Sequence, residues 1–303
     1  TTHLRLEQLD SAQYYIRLAL ANAKKLYGSH SGELEYILAI ASRVAKKQNK
    51  YHKALAYAKR ALEINQVQFG KTHLYTAQRM NTIGLVYRKF GKMKQAESWF
   101  RRSVDIKKTH YPDELKSIYI GQYNLAVILL NRYQTSEALK LLEEVRKYDR
   151  KIYPEGHPYR AYTLLQLGKG YLNAGRMHKA FQHIQSAREI IEAKFDSIHS
   201  RRAACYVLLA EYYLKEQKWS RAGDFAQKGM IIYEELYGKT HWLFSYTSAL
   251  QALSGSAVNN NIHHIKMIHQ KAVRDIKQHP FSMKYHVKQL SRFKELLIAD
   301  SGN

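Results

Sequence analysis

TAQRMNTIGLVYRKFGKMKQAESWFRRSVDIKKTHYP, residues Thr76–Pro112, is the stretch that decides the fold. In its first half Met80, Ile83, Gly84 and Tyr87 fall at i, i+3, i+4 and i+7, the spacing that lines one face of a helix. Phe90-Gly91-Lys92 interrupts the pattern, and Met93, Ala96, Phe100, Ser103 and Ile106 mark a second helix that ends near Tyr111-Pro112. The segment therefore predicts two antiparallel helices joined by a tight turn.

The same unit recurs outward in both directions. Ala12, Ala54, Ala96, Ala138, Ala180 and Ala222 are 42 residues apart, and so are Tyr27, Phe69, Tyr111, Tyr153, Phe195 and Tyr237. A fixed period in this range marks a stacked-repeat architecture, in which each unit hides its apolar face only against its neighbours. In the first helix of each unit a small residue recurs at Ala41, Gly84, Ala126, Gly168, Ala210 and Ala252, where backbones must approach closely. Val44, Tyr87, Leu129, Tyr171 and Tyr213 follow three positions on. In the second helix the alanine is followed by Ala58, Phe100, Leu142, Ile184 and Ala226. The expected fold is all-α, a right-handed solenoid of stacked antiparallel helix pairs.

Residues 1–28 read as the second helix of a truncated first repeat, 29–253 as tandem 42-residue repeats, and 254–303 as a degenerate last repeat with a capping helix over Phe281–Ala299. The chain lacks an initiator Met and opens halfway through a unit, which predicts a piece of a longer protein. In the third unit Leu115 stands where others place His, and Tyr133-Gln134 replaces a glycine-containing turn, predicting a local change in helix crossing.

Composition narrows the function. Four prolines and fifteen glycines in 303 residues leave little for turn-rich sheets. The 49 Lys and Arg against 25 Asp and Glu give a net charge of +24, which draws anionic partners to the surface. No run reaches the roughly 18 apolar residues of a membrane span. The one cysteine, Cys205, can form no intramolecular disulfide, sits among apolar neighbours as an inert thiol, and fits a cytoplasmic setting.

Catalytic patterns are missing: no Gly-x-Ser-x-Gly, no Gly-x-x-x-x-Gly-Lys, no His-Glu-x-x-His. No cofactor and no metal are expected. His30, His73, His157, His199 and His241 each lie eleven residues before a small residue, so they are one repeat position copied five times and are expected to cap and pack the start of the following helix. His263, His264 and His269 lack the i, i+4 spacing that would stack two imidazoles on one helix face.

The order of large apolar, small and aromatic residues, then Ala, bulky apolar and small, resembles the tetratricopeptide repeat. The 42-residue length and the junctions Phe69-Gly70-Lys71-Thr72-His73 and Tyr237-Gly238-Lys239-Thr240-His241 are similar to the kinesin-light-chain subtype. The resemblance implies a groove lined by first helices, at positions six and three before the small residue and one, four and five after it. Transferred to this sequence, the rule names Gln78, Asn81, Leu85, Arg88 and Lys89, then Ile120, Tyr123, Val127, Leu130 and Asn131. The following units supply Tyr162, Leu165, Lys169, Leu172 and Asn173, and Ala204, Val207, Glu211, Leu214 and Lys215.

The expectation is a non-enzymatic adaptor that holds an acidic, partly apolar peptide or helix. Asn81, Asn131 and Asn173 would bond its backbone, Arg88, Lys169 and Lys215 would pair its carboxylates, Tyr123 and Tyr162 would supply aromatic contacts, and Gln78 lines the same groove. Leu130, Leu172 and Leu214 are expected instead to pack inward. A basic ridge of Lys46, Lys47, Lys50, Lys89, Lys92 and Lys94, at equivalent turns, supports nucleic-acid binding as the alternative. An accessory domain of a larger enzyme or regulator ranks third.

Overall fold

The computed structural model describes residues 2–258, 261–278 and 284–300, and every regular element among them is a helix. In chain order these are α1 (Thr2–Tyr27), α2 (Gly32–Lys47), α3 (Tyr51–Phe69), α4 (Leu74–Lys89), α5 (Met93–His110), α6 (Leu115–Asn131) and α7 (Thr135–Ile152). They continue as α8 (Pro158–Asn173), α9 (Met177–Lys194), α10 (Ser200–Lys215), α11 (Trp219–Tyr237), α12 (Trp242–Val258), α13 (Ile262–Gln278) and α14 (Lys284–Asp300). The start of the expected capping helix, at Phe281, lies outside the described residues. The helices fall into two compact units, Thr1–Ile128 and Leu129–Asn303, the division lying inside α6.

In each unit consecutive helices pack on one another, α2 on α3 and α4 on α5 in the first, α8 on α9 and α10 on α11 in the second. The fold is an all-α solenoid of helix hairpins. The recurrent alanines explain why. Ala54, Ala96, Ala138, Ala180 and Ala222 are all fully buried, and so are Phe100, Leu142, Ile184 and Ala226 four positions later. In two units the small residue of the first helix receives the bulky residue of the second. A Cβ on Gly84 would lie 2.7 Å from the Phe100 ring, and one on Gly168 would lie 2.5 Å from Ile184 Cγ1. Ser103 then bridges the hairpin through its Oγ, which donates to the Ala77 carbonyl at 2.6 Å.

The turn inside each hairpin is equally periodic. Asn49, Gly91, Tyr133, Gly175 and Gln217 all take the left-handed conformation, with φ between 56° and 74°. One residue later a backbone N–H closes the turn five residues back: Lys50 to Ala45, Lys92 to Tyr87, Gln134 to Leu129, Arg176 to Tyr171, Lys218 to Tyr213, at 2.9 to 3.0 Å. This 6→1 bond satisfies a carbonyl that the helix end would otherwise leave unpaired. Glycine is the easy residue for such a turn, yet Tyr133 adopts the same φ of 61°. At that turn the backbone keeps the conformation of its neighbours.

Histidines start four of the helices. His73, His157, His199 and His241 accept at Nδ1 from the backbone N–H two residues on, at 3.1 to 3.2 Å. Each ring also packs on the 42-spaced aromatic four positions before it, with centroids 4.8 Å apart for Phe69–His73, 4.4 Å for Tyr153–His157, 4.2 Å for Phe195–His199 and 4.7 Å for Tyr237–His241. One histidine thus caps a helix and welds it to the helix before. The first copy differs: Ser31, not His30, is the cap of α2, its Oγ accepting from Leu34 N at 3.1 Å. A serine in extended backbone one position later is the better acceptor and displaces the imidazole from that task. His157→Ala is therefore expected to cost about 1 to 2 kcal/mol, the loss of a cap plus a ring contact, whereas His30→Ala changes stability by less than about 0.5 kcal/mol. Urea unfolding of the two variants checks the difference.

Candidate peptide-binding face

In unit 1 the first-helix positions bring together acidic and basic groups in unequal number. Glu35, at the start of α2, forms an ion pair with Arg79 of α4, and burial raises its carboxyl pKa although Arg79 opposes the shift. Asn81 accepts at Oδ1 from Asn124 Nδ2 at 3.3 Å, while Gln78 and Tyr123 are half-buried on the same helices. At the other end of the face, Lys46 in the last turn of α2 meets Arg88 and Lys89 in the last turn of α4. Burial pushes the Lys46 amine down from its usual range, and the charges of Arg88, Lys89, Arg43 and Lys47 push it further the same way. Lys46 stands five residues after Ala41, so it belongs to the binding-face column as well as to the ridge where the sequence placed it. Lys47, Lys50, Lys89, Lys92 and Lys94 are exposed beside it.

In unit 2 the predicted residues are brought together, but with different partners. Lys169 donates from Nζ to Asn131 Oδ1 at 2.9 Å and lies 3.7 Å from the centroid of the Tyr285 ring on α14. Asn173 Oδ1 accepts from Tyr285 Oη at 3.3 Å and from Gln289 Nε2 at 3.2 Å. Lys215 donates to the Leu172 carbonyl at 3.1 Å. Glu211, buried, accepts from Tyr246 Oη at 2.7 Å. Burial raises the Glu211 carboxyl, against the pull of Tyr246, Lys169 and Lys215, and lowers Lys169 to about 8. Tyr162 lies under the Arg201 guanidinium, 4.1 Å from its ring centroid. Leu130, Leu172 and Leu214 are buried, as expected for packing residues.

The last helix thus does more than cover an end. α14 packs on α13 and also reaches α12 and α10, laying Tyr285 and Gln289 on the first-helix face. The repeat rule missed these residues because α14 lies outside the 42-residue register. A local signal does exist: Tyr285, Gln289, Phe293 and Leu297 form an i, i+4 stripe, all buried, in which Gln289 is a polar group where an apolar one is expected.

No catalytic constellation is seen among the described residues. Cys205 is buried and its thiol is pushed up to about 12 by burial, the opposite of an activated nucleophile. His264 pairs with Ser256 at 3.0 Å and His269 with Ser291 at 3.1 Å, so two of the three C-terminal histidines have separate partners. No group of three or more His, Cys, Asp and Glu gathers to hold a metal among the described residues. Among the described residues no helix is long and apolar enough to cross a membrane.

Stacked helix hairpins with a polar first-helix face define a repeat scaffold for protein–protein interaction. Residues 41–109 and residues 122–159 match family models described as tetratricopeptide repeat. Over these residues the chain carries tetratricopeptide repeats. Among solved structures, a Podosopora anserina protein assigned as kinesin light chain, with nearly identical TPR-like repeats, aligns with a TM-score of 0.54 at 20% identity, over 66% of this chain and 94% of that one. BtubC from P. vanneervenii gives 0.61 at 16% identity, over 76% and 92%. A Rap protein complexed with Competence and Sporulation Factor gives 0.60 at 16% identity, over 93% and 80%. These likenesses establish the fold. No curated protein matches the chain in sequence.

Proposed function

We propose that the chain is a non-catalytic adaptor whose first-helix faces take acidic, partly apolar peptide segments. The observation that carries this reading is the convergence of Lys46, Arg88 and Lys89, with Arg43 and Lys47, at one end of the unit 1 face. Cations held together gain from an incoming carboxylate, which offsets its desolvation and favours it over a neutral ligand. Gln78, Asn81 and Tyr123 extend the site with amide and aromatic groups. In unit 2 the corresponding groups are Asn131, Tyr162, Lys169, Asn173 and Lys215. The Rap protein complexed with Competence and Sporulation Factor supports a fold of this type acting as a holder of another molecule. The deeply buried, unreactive Cys205 suits the absence of chemistry and a cytoplasmic setting.

The test is a titration of synthetic acidic-aromatic peptides against the wild type, Lys46→Glu and Arg88→Glu. Each reversal is expected to weaken binding about 10-fold, the equivalent of about 1.4 kcal/mol. Equal affinity for all three proteins removes the assignment. Nucleic acid is the second reading, favoured by the exposed Lys47, Lys50, Lys89, Lys92 and Lys94. It predicts affinity for a mixed-sequence duplex or single strand that collapses with added salt, and it fails if neither is retarded at low salt.

A further inference from the structure

The first-helix face of unit 2 is occupied by α14, and the occupant fits it imperfectly. At the α14 contact three buried polar atoms, Asn173 Nδ2, His286 Nδ1 and Gln289 Oε1, have no hydrogen-bond partner among the described residues. A cavity of about 130 Å³ remains there, bounded by Lys169, Glu211, Tyr246, Tyr285 and His286. The charges are also mismatched. The face presents Lys169 and Lys215 with Glu211 as the carboxylate between them, while α14 brings Lys288 and Arg292, which lie 4.4 and 4.7 Å from the Tyr133 ring centroid. The imidazole that α14 points toward Lys169, His286, is held neutral by burial and by the charge of that lysine.

The backbone of Tyr133 fits the same picture. Its side chain stacks on Tyr285 at 5.4 Å and its hydroxyl donates to the Tyr285 carbonyl at 3.3 Å, at a φ of 61° that a tyrosine rarely adopts. The φ is that of every equivalent turn, and the tyrosine side chain is what adds the contact with α14.

From the cavity, the unpaired polar atoms and the surplus of cations, we infer that this face is a covered binding site for a partner helix that enters as α14 leaves. The helix it fits carries a tyrosine in the place of Tyr285, to lie on Lys169 and bond Asn173, and next to it a carboxylate in the place of His286, to pair with Lys169. α14 is then a built-in competitor that sets the affinity, since a face open for only a fraction of the time binds more weakly by that fraction. The inference rests on the reading that first-helix faces bind peptides, and deepens it for unit 2.

The test uses the full chain, as wild type and as Tyr285→Ala/Gln289→Ala, with two labelled peptides. One is KYHVKQLSRFKELLIAD, the sequence of α14; the other is the same peptide with H286E. The double variant is expected to bind the first peptide about 10-fold more tightly than the wild type does. The H286E peptide binds more tightly still. Gln289→Ala alone, a milder change, gives an intermediate gain, and faster hydrogen exchange in α14 confirms that the helix has loosened. Equal affinities for wild type and variants despite that faster exchange overturn the inference, and so does a weaker H286E peptide. Lys46→Glu leaves both affinities unchanged if the sites are separate. Failure of the unit 1 peptide titration is thus distinguishable from failure here.

Discussion

Phe100→Ala is expected to destabilise unit 1 by about 3 to 5 kcal/mol, the largest effect of any single truncation considered for this chain. Phe100 is fully buried, and its ring occupies the space that a side chain on Gly84 would need. The glycine and the phenylalanine are two halves of one contact between α4 and α5. Gly84→Ala in the wild type should therefore cost about 1 to 3 kcal/mol through overpacking. In the Phe100→Ala background the same change fills part of the void, and its cost should fall by at least about 1 kcal/mol or reverse sign. Urea unfolding followed by circular dichroism measures all four proteins of the cycle. Additive costs would mean that the two residues do not share a site, and the small-residue logic of the repeat would fail.

Glu211→Leu has the second largest expected effect, for an electrostatic reason. Glu211 is buried with Tyr246 Oη at 2.7 Å, and the charges of Lys169 and Lys215 act on it from the same face. Its removal leaves two desolvated ammonium groups without their carboxylate, which costs about 3 to 5 kcal/mol near neutral pH. The pH dependence follows from Lys169, whose pKa burial lowers to about 8 while Glu211 pulls it upward. A lysine depressed in the folded state binds its proton more tightly in the unfolded chain, so its contribution to stability rises as pH rises through the window from about 8 to its ordinary 10.5. Without Glu211 that window opens at lower pH. The penalty of Glu211→Leu is therefore largest near pH 7 and shrinks by pH 9, measured as the difference in unfolding free energy between wild type and variant. A penalty independent of pH would show that the lysines are not coupled to Glu211.

Much of this was legible in the sequence because the repeat states its own packing rule six times. The alanines of the second helices, the small residues of the first and the bulky residues that meet them occupy equivalent buried contacts. The capping histidines were legible for the same reason, except at His30, where a serine one step along changes the local competition for the N–H. The left-handed turn was harder to read: the backbone repeats it every 42 residues, but only Gly91 and Gly175 advertise it, while Asn49, Tyr133 and Gln217 conceal it.

The face residues show where sequence reasoning stops. Lys169, Asn131 and Asn173 were named by position, and Lys169 does pair with Asn131, yet Tyr285 and Gln289, the further partners of Lys169 and Asn173, come from α14, over 100 residues away and outside the register. No periodicity reports that kind of contact. The one clue was chemical, a glutamine set in the apolar stripe of the last helix.

The most direct test of the central claim, that first-helix faces are where this chain binds, is hydrogen exchange of the full protein with and without a saturating acidic-aromatic peptide. Protection is expected in the last turns of α2 and α4, around Lys46, Arg88 and Lys89, with exchange in α3 and α5 unchanged. Protection confined to the second helices, around Lys59-Arg60 and Arg101-Arg102, would contradict it.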